Sequence, residues 1–298
     1  MRALATDPAA RGLLDDAAVL EVGGERLVLT HDMIVEGVHY LPDDPPADVA
    51  WKLVAVNLSD LAAKGARPLG VLLGFTLGDE EWDQAFAQGL GAALAAFGLP
   101  LLGGDTVTAP ARVLGLTAIG RAAGPAPARS GAQPGHLLWV SGTIGDSGAG
   151  LRILKGELGE SAALVERYRN PRPRLEAGER LAPLVSAMMD VSDGLLIDSA
   201  RMAAASGCAA RIELESLPLS QAYLALLGEA RLEAATAGDD YELLFATTEA
   251  AAPAILALAE EIGLPFSRIG RFEAGAGLAL TDRGEAVPVP ATLGFEHG

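Results

Sequence analysis

Asp48-Val49-Ala50-Trp51-Lys52-Leu53-Val54-Ala55-Val56-Asn57-Leu58-Ser59-Asp60-Leu61-Ala62-Ala63-Lys64-Gly65 reads as one amphipathic helix. Asp48 is placed to cap its start, Gly65 to stop it, and Pro68 lies just beyond. Leu53, Val54, Leu58 and Leu61 form an apolar stripe, while Asn57, Asp60 and Lys64 recur at three- and four-residue spacing on a neighbouring face. The helix therefore carries a carboxylate beside the stripe that it buries.

Strand-like segments flank it on both sides. Residues 27–30 read as a strand stopping at His31 and Asp32, and 34–39 as an extended continuation. Residues 69–77 read as a strand, Glu80–Phe97 as an Ala-rich helix stopped by Gly98, and 113–119 as a further strand. Residues 99–102 form a short strand expected to end in Gly103-Gly104-Asp105. From Arg121 to Pro134 the composition turns to Ala, Pro, Gly, Arg and Ser, as in a segment joining domains. Two domains are expected, residues 1–126 and 127–298. The second opens with a strand, Leu137–Ser141, and a glycine-rich turn, 142–150, leading into a helix. Helical segments are expected around Leu164, Leu184 and Ala203, an Asp-rich turn at 190–193, a strand at 241–247, a helix at 250–262 and a hairpin turn at 282–284. Alternation of this kind defines an α/β (α+β) chain.

Bulk composition narrows the function. The 298 residues carry a formal net charge of -17, which disfavours nucleic acid and anionic membrane surfaces as partners. No apolar run approaches the ~20 residues of a membrane span, and one cysteine, Cys208, excludes an intramolecular disulfide. A cytoplasmic protein is expected. Any phosphate chemistry in so acidic a chain calls for divalent cations.

The candidate chemistry lies in aspartates at element ends: Asp15, Asp16, Asp32, Asp60, Asp105, Asp190 and Asp193. Carboxylates gathered ~5 Å apart repel by about 3 kcal/mol per pair at an effective dielectric near 20, so a cluster needs a cation. Mg²⁺ takes oxygen ligands and shares them with polyphosphate, so several such ions fit the pattern. The turn at 142–150 offers backbone N–H groups to phosphate but lacks the Gly-Lys-Ser/Thr end of a Walker A loop. Gly103 and Gly104 allow close backbone approach beside Asp105, and Arg129 is placed to reach phosphate across a cleft. His31, His39, His136 and His297 show no metal-ligand spacing, which argues against zinc.

Taken in order, Asp15-Asp16, Asp32, Gly37-Val38-His39-Tyr40, Asn57 to Ala66, Gly103-Gly104-Asp105, Arg129-Ser130-Gly131-Ala132, Gly145-Asp146-Ser147, Asp190-Val191-Ser192-Asp193-Gly194-Leu195 and Gly238-Asp239-Asp240-Tyr241-Glu242-Leu243 resemble the thiamine-monophosphate kinase family. That family sits within the aminoimidazole-ribonucleotide-synthetase-like superfamily. The resemblance implies a two-domain PurM-like architecture, with an N-terminal sheet domain that dimerises and a C-terminal α/β domain closing an ATP cleft. It implies ATP-dependent phosphorylation of thiamine monophosphate to thiamine diphosphate by a homodimer. Residue by residue, it implies Mg²⁺ ligation by Asp16, Thr30, His31, Asp32, Asp60, Asp105, Asp190 and Asp193. Gly104, Asp105, Arg129 and Ser192 resemble ATP contacts, and His39, Asp239 and Phe295 substrate contacts, Phe295 within Gly294-Phe295-Glu296-His297. No side-chain base is implied, because the acceptor phosphate is already largely ionised.

Three positions depart from the family pattern: Leu14 stands for a glycine, His31 for a threonine, and Asp239 for a glutamate. The alternatives are another ATP-using enzyme of the superfamily, or a non-catalytic nucleotide or thiamine-phosphate binder. A selenophosphate-synthetase-like activity would call for a reactive residue near the amino terminus, and only Cys208 is present.

Overall fold

Alternating burial along residues 25–35, with Val28, Thr30 and Ile34 inward and His31 and Met33 outward, makes one long strand where two extended pieces were expected. The structure, a computed structural model, describes residues 2–296, so His297 lies outside the described residues. The first half contains β1 (Ala18–Val22), β2 (Glu25–Val35), α1 (Pro46–Ala63), β3 (Ala66–Leu77), α2 (Glu80–Phe97), β4 (Leu101–Thr108) and β5 (Val113–Ala122). These strands form a five-stranded sheet in the order β1-β2-β5-β3-β4, mostly antiparallel, with β3 and β4 parallel across the α2 crossover.

Helix α1 begins earlier than expected. Pro45 is its N-cap and Pro46 fills the first turn, where the missing N–H costs nothing, so Asp48 lies inside the first turn. Its apolar stripe packs with Val28, Leu114, Leu116 and Phe86 into one core between helices and sheet. Gly98 ends α2 in the left-handed conformation at φ 65°. The Gly103-Gly104 pair does not end its strand: β4 runs on to Thr108, and a side chain at Gly104 would place Cβ 1.9 Å from the Leu73 carbonyl. All eight β4 residues are exposed on the sheet edge.

The second half holds β6 (Leu137–Ser141), α3 (Asp146–Leu154), α4 (Ala162–Arg169), α5 (Leu175–Leu181), β7 (Ala187–Asp190), α6 (Leu195–Ser206), β8 (Ala209–Glu213), α7 (Gln221–Leu227), α8 (Arg231–Thr236), β9 (Leu243–Thr247), α9 (Ala252–Ile262), β10 (Phe266–Glu273), β11 (Gly277–Asp282) and β12 (Glu285–Val287). Its sheet runs β12-β11-β8-β10-β6-β9-β7. Leu184, read as helical, falls just past α5, and the Asp-rich turn begins at the end of a buried strand, β7. Helix α1 also joins the two halves: Ala62 and Ala63 belong to a second core with Leu181, Met188 and Phe245. Glycine makes that contact possible, since a Cβ on Gly178 of α5 would lie 2.0 Å from the Ala62 carbonyl oxygen. Among the described residues no helix is long and apolar enough to cross a membrane.

Candidate active site in the cleft between the two sheets

Three carboxylates from three elements meet at one end of α1. Asp60 on α1, Asp190 at the end of β7 and Asp16 just before β1 each bring an oxygen within 4.8 Å of the others. Their side chains are tied from behind. Thr30 Oγ1 on β2 donates to Asp60, and Ser59 Oγ donates to Asp190 Oδ2 at 2.6 Å. The backbone N–H of Asp32 donates to Asn57 Oδ1 at 2.9 Å, which fixes β2 against α1. Lys64, fully buried, pairs with Asp15 and lies 2.7 Å from Asp16 Oδ2, and Arg129 closes on the other Asp16 oxygen.

Electrostatics divides the cluster. Burial, then the charges of Asp32, Asp190 and Asp16, push the Asp60 carboxyl well above the ordinary carboxylate range. Burial and the charge of Asp16 do the same to Asp190, against the Ser59 hydrogen bond. Asp16 is equally buried, yet Lys64 and Arg129 outweigh that burial and hold it below the usual range. Two carboxyls are thus short of positive charge while a third has enough. An all-oxygen, buried donor set of this kind matches a hard divalent cation and not zinc.

The cluster forms one wall of a cavity of about 710 Å³ between the two sheets. Asp32, His39, Arg129, Ser192, Asp193, Asp239 and Phe295 line it as well, so ten of the sequence-predicted residues share one space with Asp16, Asp60 and Asp190 counted. Arg129 brings to it a buried Nε without a hydrogen-bond partner among the described residues, a donor waiting for an acceptor. Arg201 pairs with Asp193, whose turn is held by Asp198, the acceptor for the N–H groups of Ser192, Asp193 and Gly194.

The remaining predicted residues lie elsewhere. Thr30 is behind Asp60, in contact with it but outside the cavity lining. The His31 side chain turns to the opposite face of β2, with Nδ1 2.9 Å from Thr117 Oγ1, because neighbours on a strand alternate faces. Gly104 and Asp105 sit on the exposed edge strand β4, outside the cavity of a single chain.

Several residues in the site escaped the sequence reading. Lys64 was legible as a face-mate of Asp60, but its carboxylate partners are far away in sequence. Lys52 reaches Asp239, and Glu242 is fully buried beneath Arg167 and Arg174; neither has a local signal.

Known proteins share this two-domain fold. Residues 14–122 match the family described as AIR synthase related protein, N-terminal domain, and residues 133–283 match its C-terminal domain. The chain is therefore a two-domain member of the AIR synthase related class. Within that class, a thiamine-monophosphate kinase of Caulobacter vibrioides is 44% identical over 98% of this chain and 86% of its own length. A crystal structure of thiamine-monophosphate kinase from Stenotrophomonas maltophilia superposes with a TM-score of 0.81 at 41% identity, covering 96% of this chain and 94% of that one. A structure of AaThiL complexed with AMPPCP and TMP gives a TM-score of 0.81 at 31% identity, covering 94% and 91%. The chain belongs to the thiamine-monophosphate kinase family.

Proposed function

We propose that this protein transfers the γ-phosphoryl group of ATP to a phosphate oxygen of thiamine monophosphate. The new bond joins that oxygen to the γ-phosphorus, the bond to the β-bridging oxygen breaks, and ADP and thiamine diphosphate leave. The observation that carries this reading is the convergence of Asp16, Asp32, Asp60 and Asp190 beside Arg129 in a cleft between two domains. The family's complex with an ATP analogue and TMP supports it.

In a chain of net charge -17, two anionic substrates meet only if cations stand between them and the carboxylates. Magnesium held by Asp16, Asp32, Asp60 and Asp190, with Asp193 and Asp105 as further ligands, would neutralise polyphosphate charge. The protein's own residues do the rest. Arg129 offers its unpaired Nε–H to a phosphate oxygen, Ser192 contacts the nucleotide, and His39, Asp239 and Phe295 shape the acceptor end, while Gly104 would reach the nucleotide only where a second copy encloses it. No side chain needs to take a proton, so catalysis rests on holding both phosphates in line. The assay that tests this supplies ATP and Mg²⁺ with thiamine monophosphate, and unphosphorylated thiamine as control acceptor. Thiamine diphosphate formed only from the monophosphate is the expected product. ADP formed only with some other acceptor points to another superfamily activity, and ligand binding without any product points to a non-catalytic binder.

The raised carboxyls fix a pH dependence. Asp60 and Asp190 hold protons in the folded state that the unfolded chain sheds above the ordinary value of 3.8, and Asp198 is pushed by burial up to about 7. Their stabilisation is complete below the unfolded value and is lost as pH rises through the folded values. Metal-free protein is therefore expected to melt lower at about pH 8 than at about pH 6, across the Asp198 value, and Mg²⁺ to raise Tm more as pH rises and proton competition for Asp60 and Asp190 weakens. No Mg²⁺-induced rise in Tm at either pH, measured by scanning calorimetry, would contradict the metal assignment.

The homodimer and the cytoplasmic setting belong to the same proposal. Met33, Leu72, Leu101, Leu102 and Val107 are exposed at 38–55% on the first sheet, and β4 forms its edge. A second copy packed there would bury an apolar surface and enclose Gly104 and Asp105. Sedimentation of Leu72→Lys should show the monomer where wild type shows the dimer.

A further inference from the structure

We infer that Lys52 is a positioning residue for the acceptor end of the site, holding Asp239 at a fixed distance from the carboxylate cluster. The inference rests on the kinase reading above and adds a residue to it. Lys52 does not line the cavity; its side chain is 3% exposed behind the wall. There its Nζ lies 2.8 Å from Asp239 Oδ2 and 2.9 Å from the His39 carbonyl oxygen, with the Tyr168 ring beneath it at 4.0 Å. One ammonium thus ties together the two segments, around His39 and Asp239, that face the acceptor.

The rest of the loop is built to meet it. Asp239 and Tyr241 both adopt the left-handed conformation, at φ 69° and 51°, which non-glycine residues enter only when the surroundings hold them. Two hydrogen bonds hold them: Asp239 N–H to the Ser192 carbonyl at 2.7 Å and Tyr241 N–H to the Val191 carbonyl at 2.8 Å. The Tyr241 hydroxyl then donates to Asp239 Oδ1 at 3.1 Å. Lys52 takes one carboxylate oxygen and Tyr241 the other, leaving little freedom about the Asp239 side-chain torsions.

Lys52, Val56 and Asp60 follow at four-residue steps along α1, so they share one helix face; Val56 and Asp60 reach the cavity. Eight residues of helix separate the lysine from the aspartate by about 12 Å. A single rigid helix therefore sets the spacing between the phosphate-handling cluster and the acceptor-side carboxylate. Closeness of this kind governs how well two bound substrates line up.

The test compares Lys52→Met, Lys52→Arg and Tyr241→Phe with wild type in steady-state kinetics and in calorimetric binding of thiamine monophosphate. Lys52→Met is expected to raise KM for thiamine monophosphate about tenfold while KM for ATP moves less than about twofold, and Lys52→Arg to recover most of the loss. Tyr241→Phe should shift the same constant in the same direction by a smaller factor, and it stands in if Lys52→Met does not fold. In an Asp239→Ala background the Lys52→Met change should add little, since its partner is gone. Unchanged KM for thiamine monophosphate in Lys52→Met or Tyr241→Phe, or equal rises for both substrates, overturns the inference. Wild type that binds or converts no thiamine monophosphate overturns the kinase reading instead, and that result is visible before any variant is made.

Discussion

Asp60→Asn is expected to lower kcat by about a hundredfold to a thousandfold, the range seen when one preorganised electrostatic group is removed from a reaction that develops charge. The same substitution is expected to leave the metal-free protein at least as stable as wild type. Both results follow from one geometry. Asp60 lies within 4.8 Å of Asp16 and Asp190, and its burial beside them disfavours its charge. Burial and neighbouring like charge both oppose ionisation of Asp60, so a neutral side chain there relieves the folded state. Asparagine is nearly isosteric, and its side-chain oxygen can still accept the Thr30 hydroxyl. What it cannot supply is the negative charge that a cation and its polyphosphate require. Activity and stability should therefore move in opposite directions, which loss by misfolding cannot imitate. The measurements are kcat with saturating ATP and thiamine monophosphate, and Tm in chelator near pH 8. Turnover within about tenfold of wild type would remove Asp60 from the reaction, and a lower metal-free Tm would overturn the account of its buried charge.

Much of this site was legible because its residues sit in elements with strong local signals. The period of α1 put Asp60 beside the buried stripe, and that is where the fold uses it. Elsewhere local rules and long-range pairing disagree. Gly103 and Gly104 look like a strand end, yet pairing with β3 carries β4 through them in a backbone conformation only glycine takes readily, at φ 151° and 155°. His31 reads as a stop, yet β2 runs on past it because β5 pairs with it as far as Val35. Pro45 and Pro46 moved the helix start ahead of Asp48 through backbone geometry that outweighs side-chain capping there. Strands β7, β8 and β10 owe their state to neighbours in the seven-stranded sheet. Buried charges are the least legible of all: nothing near Lys52 or Lys64 in sequence announces carboxylates 187 and 49 residues away.

Glu242→Gln is expected to destabilise the protein by about 3–5 kcal/mol, the cost of breaking a buried ion pair from one side. Glu242 is fully buried just before β9, where it accepts from Arg174 through both of its oxygens, from Arg167 Nη2 at 2.9 Å and from Ser141 Oγ at 2.6 Å. Removing the charge leaves two guanidinium groups, 14% and 20% exposed, facing a neutral amide with one acceptor oxygen. At ~2–4 °C per kcal/mol for a protein of this size, Tm should fall by about 6–20 °C. Replacing Arg174 by methionine in the same chain should restore part of the loss, because a neutral pair removes the stranded charge that a single change creates. The effect on catalysis has a separate route. Glu242 follows Asp239, Asp240 and Tyr241 directly, and Asp240 accepts the Gly145 N–H through both oxygens, so the knot anchors the loop whose far end faces the cavity. A Tm within about 2 °C of wild type for Glu242→Gln would show that solvent reaches these guanidinium groups and that the loop is anchored by its backbone alone.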